Sequence, residues 1–194
     1  MDATPSPPGL HPHLEMLRFV SAAGRDDGLF ELGLSQGMHR VRDALGYAAV
    51  DVAINKDELE ALSRLLASGA SFGEPTPGIL SPLASACALG RTEAARALIC
   101  AGHPVDYGGF PAGPAPMETP LMRASASGHA DCAELLLALG ADPGIANSDG
   151  VVARSFGRHH PDVVAAFDRD VARREALDIG SASRSAPAKP GGRL

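Results

Sequence analysis

Thr119-Pro120-Leu121-Met122-Arg123-Ala124-Ser125-Ala126-Ser127-Gly128-His129 has the same order of residue types as an earlier stretch, Ser81-Pro82-Leu83-Ala84-Ser85-Ala86-Cys87-Ala88-Leu89-Gly90-Arg91. In each, proline and glycine are eight residues apart, and a second glycine, Gly102 or Gly140, follows twelve residues later. The Ser or Thr can cap a helix, and proline at the first helical position loses nothing by lacking an N–H, because that group has no intrahelical partner. Small residues then let a neighbouring helix approach closely, and glycine ends the helix in a turn. A second helix carries bulkier residues, Leu98-Ile99 or Leu135-Leu136-Leu137, and ends at Gly102 or Gly140, where glycine most easily takes a left-handed conformation. Leu98 and Leu136 fall at equivalent, inward positions.

The register continues in both directions. Residues 58–68 read as the second helix of a preceding unit, closed by Gly69, with its first helix at about Val41–Ile54. Farther back, Leu17–Ala23 and a helix near Asp26–Leu34 form a degenerate first unit around Gly24. Beyond the quoted stretch, Val151–Arg158 and a helix from Pro161 onward form the last. The turn positions 24, 57, 90, 128 and 160 are spaced by 33, 33, 38 and 32 residues, and self-similarity at such a period marks a stacked-repeat architecture. Degenerate ends fit a stack, since terminal units must turn a polar face to water.

The pattern resembles the ankyrin repeat, a 33-residue unit with the signature Thr-Pro-Leu-His-x-Ala. Thr119-Pro120-Leu121, Gly128-His129, Leu135-Leu136-Leu137 and Gly140-Ala141-Asp142 carry the resemblance, with Met122 where His is usual and Ser125 where the second Ala is usual. It implies an all-α solenoid of about five helix-turn-helix repeats with short hairpin or loop fingers, at residues 14–43, 44–77, 78–117, 118–147 and 148–175. In the family the signature His ties the loop to the helix. No repeat here has it, so other groups must hold the loops. Residues 1–13 are Pro-rich and 176–194 basic and rich in Ser, Gly and Ala, and both read as disordered tails.

Composition narrows the function. The chain has 194 residues, 45% of them hydrophobic, but only 4% aromatic and no Trp, which favours closely stacked helices of Ala, Leu and Val. Net charge is −6. Residues 44–170 hold 8 basic and 15 acidic side chains, which argues against nucleic acid as the principal partner. Cys87, Cys100 and Cys132 are odd in number and lack CxxC spacing, and the N-terminus has no signal-peptide pattern. A reduced, cytoplasmic setting and no membrane association are the expectations, as no apolar run approaches the ~18 residues of a membrane span.

Catalytic chemistry finds no foothold. His11 and His13 lie among prolines and His159 and His160 are adjacent, without the i, i+4 spacing of helix-borne metal ligands, so they read as solvated surface. His129 is the family's usual residue after the turn glycine. Cys87 and Cys132 read as compact buried hydrophobes. Gly108-Gly109 belongs to neither phosphate-binding glycine pattern, and no nucleophile, base and acid set can be named. The expectation is a non-enzymatic, monomeric protein-binding module without cofactor or metal.

The 38-residue spacing places five extra residues in His103–Glu118, which contains Tyr107, Phe110, Met117 and four prolines. The resemblance makes this a finger bordering the groove where partners bind, and aromatic anchors on a stiffened loop suit an interface, although a tolerated surface insertion explains the spacing as well. The candidate binding surface comprises finger residues Phe72, Glu74, Tyr107, Phe110 and Asp149, with Asn55, Leu89, Arg123 and Ser127 on the exposed side of the first helices. Its acidic surroundings point to a partner with a basic face. The alternative is a bacterial effector or immunity-type adaptor whose repeats bind a target while its tails serve secretion or docking, with an enzyme as a distant third.

Overall fold

The computed structural model describes residues 12–23, 25–38, 48–70, 72, 78–109 and 118–184. Ten α-helices lie among them: α1 Pro12–Ala22, α2 Asp27–Ser35, α3 Ala49–Lys56, α4 Leu59–Ala67, α5 Pro82–Ala88, α6 Thr92–Cys100, α7 Pro120–Ser127, α8 Ala130–Ala138, α9 Ala153–Phe156 and α10 Pro161–Arg184. Each odd-numbered helix is followed by its even-numbered partner. The odd ones pack side by side as one layer, α1 on α3, α3 on α5, α5 on α7 and α7 on α9, while α4, α6, α8 and α10 stack in order as the second. No strand forms among the described residues. The fingers are held by two isolated antiparallel bridges, Leu80 with Gly109 and Ala146 with Val152.

Local chemistry starts the helices where the sequence places them. Ser81 Oγ accepts a hydrogen bond from the Ala84 amide at 3.1 Å and Thr119 Oγ1 from that of Met122 at 3.2 Å, each with Pro at the first helical position. Alanine stands at the equivalent cap of α3, so Asp51 supplies the missing contact from the other side, its Oδ2 accepting from the Ala48 amide at 2.9 Å. Gly102 and Gly140 end α6 and α8 with φ of 94° and 93°.

Between the layers, Leu62, Leu65, Leu83, Leu98, Leu121 and Leu136 are fully buried, as the second-helix register requires for Leu98 and Leu136. At the first pair, Phe19 and Phe30 stack at 4.9 Å with nearly parallel rings, and the Phe19 ring fills the space where a Cβ on Gly33 would stand. Glycine is what allows α2 to lie so close to α1.

Several boundaries differ from the sequence reading. Helix α3 begins at Ala49 rather than near residue 41, and residues 39–47 lie outside the described ones. Helix α9 covers only Ala153–Phe156 instead of residues 151–158, because Gly157 is packed against Val163 and Pro161 already opens α10. Helix α10 continues to Arg184, past the expected end of the repeats at 175 and into the segment expected to be a disordered tail. Ala172-Arg173-Arg174-Glu175-Ala176-Leu177 is a run of helix formers, and no proline follows until Pro187.

Candidate functional site

The side opposite the inter-layer core is bordered by the fingers and by the outer positions of the first helices. The finger from His103 to Gly109 is the best defined. Ser81, while capping α5, donates from Oγ to the Tyr107 carbonyl at 2.6 Å, and its amide donates to the Gly108 carbonyl at 2.9 Å. One residue thus starts a helix and pins the loop beside it. The signature His position is occupied by buried Ala84 and Met122, and this serine supplies the loop tie that was left open.

Within the finger, the His103 ring is buried against Phe72, edge to face at 4.8 Å, and lies 6.2 Å from Tyr107, with Nδ1 2.9 Å from the Pro104 carbonyl. Burial lowers its pKa from the ordinary imidazole value, opposed by the Pro104 carbonyl. Asp106 accepts a hydrogen bond from the Asp142 amide at 3.2 Å, so this finger braces the next one. Partial burial raises the Asp106 carboxyl above its usual range, against the effect of that hydrogen bond. Asn147 Oδ1 accepts from the amides of Asp149 and Val151 and shapes the following finger turn.

Of the expected surface residues, Tyr107 and Leu89 are exposed, at 38% and 43%, and Asn55, Ser127 and Asp149 are exposed as well. Phe72 is half-buried and packed on His103, so it supports the finger. Arg123 is half-buried and paired with Glu118 at 3.2 Å. Glu74 and Phe110 lie outside the described residues. Ser81, His103 and Asp106 were not among the expected site residues, although His103 and Asp106 lie in the segment read as the finger. His103 standing where the next repeat has Ala141, directly after the equivalent glycines Gly102 and Gly140, was the available signal, since a ring replaces a methyl there.

The turns on the far edge are joined by a ladder in which the residue just before each second helix reaches back to the preceding repeat. Glu58 accepts from Ser21 Oγ at 3.1 Å, Arg91 pairs with Asp57 at 2.7 Å, and His129 Nε2 donates to the Ala88 carbonyl at 3.2 Å. A Cβ on Gly90 would stand 2.7 Å from His129 Nδ1, and one on Gly128 would stand 2.7 Å from His160 Nδ1. His160, expected to be solvated, is half-buried and serves in the last repeat as His129 does in the fourth. Glycine is required at both turns twice over, by the positive φ and by the ring that occupies the side-chain space.

Among the described residues no group of three or more His, Cys, Asp or Glu is placed to hold a metal, and no helix is long and apolar enough to cross a membrane. No curated protein matches the chain. A family model described as ankyrin repeats, in three copies, matches residues 50–147, half of the chain and the part that holds α3 to α8. With its paired helices, capped by Ser-Pro and Thr-Pro and stacked through glycine turns, the chain belongs to the ankyrin-repeat family.

Proposed function

We propose that this chain is a non-catalytic binding module that grips another protein between its fingers and the exposed side of its first helices. Ankyrin repeats generally mediate protein–protein interaction. The observation that carries the reading to particular residues is Tyr107: an exposed aromatic side chain on a backbone whose carbonyl, and that of Gly108 after it, are both held by Ser81. A loop held in this way loses little conformational freedom when a partner binds, so its aromatic contact is retained as affinity. Leu89 adds exposed apolar surface at the C-terminal end of α5, with Asn55 and Ser127 on the neighbouring first helices and Arg123 half-exposed at α7.

The partner has a basic face and meets a monomer of this chain in the cytoplasm. Supporting the charge are the exposed finger carboxylates Asp142 and Asp149, with Asp106 half-buried behind them. Affinity capture from lysate followed by mass spectrometry identifies the partner. Tyr107→Ala combined with Phe110→Ala then weakens its binding by about 2–3 kcal/mol while the melting curve stays near that of the parent. Equal capture by variant and parent would refute the finger as the anchor and leave the insertion in His103–Glu118 a neutral one.

A further inference from the structure

The first repeat turns to solvent the face that the next three turn to their predecessors. Register in the second helices is set by the glycine that follows each of them, Gly37, Gly69, Gly102 and Gly140, all at positive φ. Eight residues before these glycines stand Leu29, Ala61, Ala94 and Cys132, and five before them Leu32, Arg64, Ala97 and Leu135. Both positions look back along the stack. Arg64 reaches Asp27 and Glu31 of α2, and Cys132 Sγ lies 3.2 Å from Thr92 Oγ1 at the start of α6. Ala61, Ala94, Cys132 and Leu135 are accordingly buried, with Arg64 and Ala97 half-buried. No helix is described on the far side of α2, and there Leu29 and Leu32 are 45% and 52% exposed.

An end of a repeat stack ordinarily meets water with polar side chains. Here it carries two leucines, the first of them larger than the Ala, Ala and Cys at its position in the later repeats. With Phe19, Gly33 and Met38 they line a groove of about 370 Å³, in which Phe19 and Gly33 are the buried floor. Arg18, exposed, is the one charged residue among those lining it. The carboxylates of α2 are turned the other way, since Asp27 and Glu31 both pair with Arg64.

We propose that this outer face of α1 and α2 is a second docking surface, which receives an amphipathic α-helix of another protein, its apolar ridge on Leu29 and Leu32 and a carboxylate beside Arg18. The groove continues the junction by which one second helix packs on the next, so a helix is the shape that fits it. The single positive charge at its wall selects an acidic residue on that helix. A second copy of this chain is a poorer occupant. Two such faces set together would bring Arg18 to a groove with no carboxylate among its lining residues. End-to-end stacking would leave an open face on every added copy, a contact that does not close. The surface shares no residue with the fingers, so it stands apart from the binding proposed there.

The probe is a displayed library of helix-forming peptides, randomised along one face and selected on the full chain. Enriched peptides are expected to carry apolar residues three or four apart with Asp or Glu beside them. Leu29→Ser combined with Leu32→Ser should weaken their binding about tenfold or more, with a melting curve near that of the parent because both side chains are half exposed. Arg18→Glu should weaken it too, and Lys in place of the peptide's acid should restore binding to that variant. Tyr107→Ala should leave it unchanged. Photocrosslinking of a selected peptide to the parent chain should map to α1 and α2, a result independent of how any variant folds. Enrichment of no helix, crosslinks elsewhere, or binding indifferent to the two leucines overturns the proposal. So does a concentration-dependent dimer in sedimentation that the leucine substitutions abolish, which makes the occupant a second copy. Helix binding that appears only after removal of residues 1–11 overturns it as well, since the occupant is then the chain's own N-terminal segment.

Discussion

Leu136 has no exposed surface and faces the same inter-layer core as Leu98, which is equally buried. A carboxylate there would lose its water without gaining a partner, so Leu136→Asp is expected to cost about 3–5 kcal/mol and to prevent stable folding. Urea denaturation reads this directly, and a cooperative transition near the parent midpoint would contradict the buried register of α8. His103 makes the finger sensitive to acid. Because burial lowers its folded pKa below the ordinary 6.5, the ring favours the fold only while neutral. That contribution is complete above 6.5 and fades as pH falls through the lowered value. The groups around the ring are Phe72, Tyr107 and the Pro104 carbonyl, with Asp106 in the same finger. An NMR titration should find His103 below the solvated value, and melting temperature should decline from pH 7 to about 5 less steeply in His103→Phe than in the parent. A His103 midpoint at or above 6.5 would show the ring to be solvated.

Helix α10 closes the second layer and also serves α8. Arg173 donates to the Leu137 carbonyl at 2.8 Å and Arg174 to the Ala141 carbonyl at 3.2 Å, so two guanidinium groups satisfy carbonyls at the C-terminal end of α8. Buried Asp170 pairs with both arginines and holds them in place. Arg169 adds a surface pair with Glu134, to which little is assigned because both side chains are more than half exposed. Replacing Arg173 and Arg174 together by alanine removes these bonds to the Leu137 and Ala141 carbonyls and leaves Asp170 without these partners, and is expected to cost about 2 kcal/mol in chemical denaturation. A loss below about 0.5 kcal/mol would mean that water serves those carbonyls equally well. Removing residues 185–194 should leave the melting temperature unchanged, since Leu194 is their only large apolar residue. A fall of several degrees would show that this segment packs on the repeats.

Among the described residues, the main helix contacts join each repeat to its neighbours, so stability is the sum of unit and junction terms and declines toward the ends. The junction of α5 and α6 with α7 and α8 combines buried leucines, the His129 contact and the finger brace from Asp106 to Asp142. At the other end, Leu29 and Leu32 of α2 remain about half exposed. Hydrogen exchange is therefore expected to be slowest in α5 to α8 and fastest in α1 and α2. Uniform protection across all helices would instead indicate a single cooperative unit. Far-UV circular dichroism should be helical, and a strand-dominated spectrum would exclude the fold.

The helix pairs, their caps at Ser81 and Thr119 and the ends at Gly102 and Gly140 were legible in the sequence because each depends on groups within a few residues of one another along the chain. Exposure of Tyr107 and Leu89 was legible for the same reason, as a consequence of helix register and an added loop. Residues that meet only through stacking were decided by the tertiary structure. Phe72 turns inward onto His103, Arg123 is drawn to Glu118, and Ser81 captures the carbonyl of Tyr107. The rungs joining successive turns span 34 to 41 residues, a separation at which no local preference acts. The role of the α10 arginines was likewise decided by stacking, since Arg173 and Arg174 are anchored to carbonyls of the preceding repeat. Periodicity determined that this chain stacks, whereas the contacts between repeats determined which side chains remain free to bind.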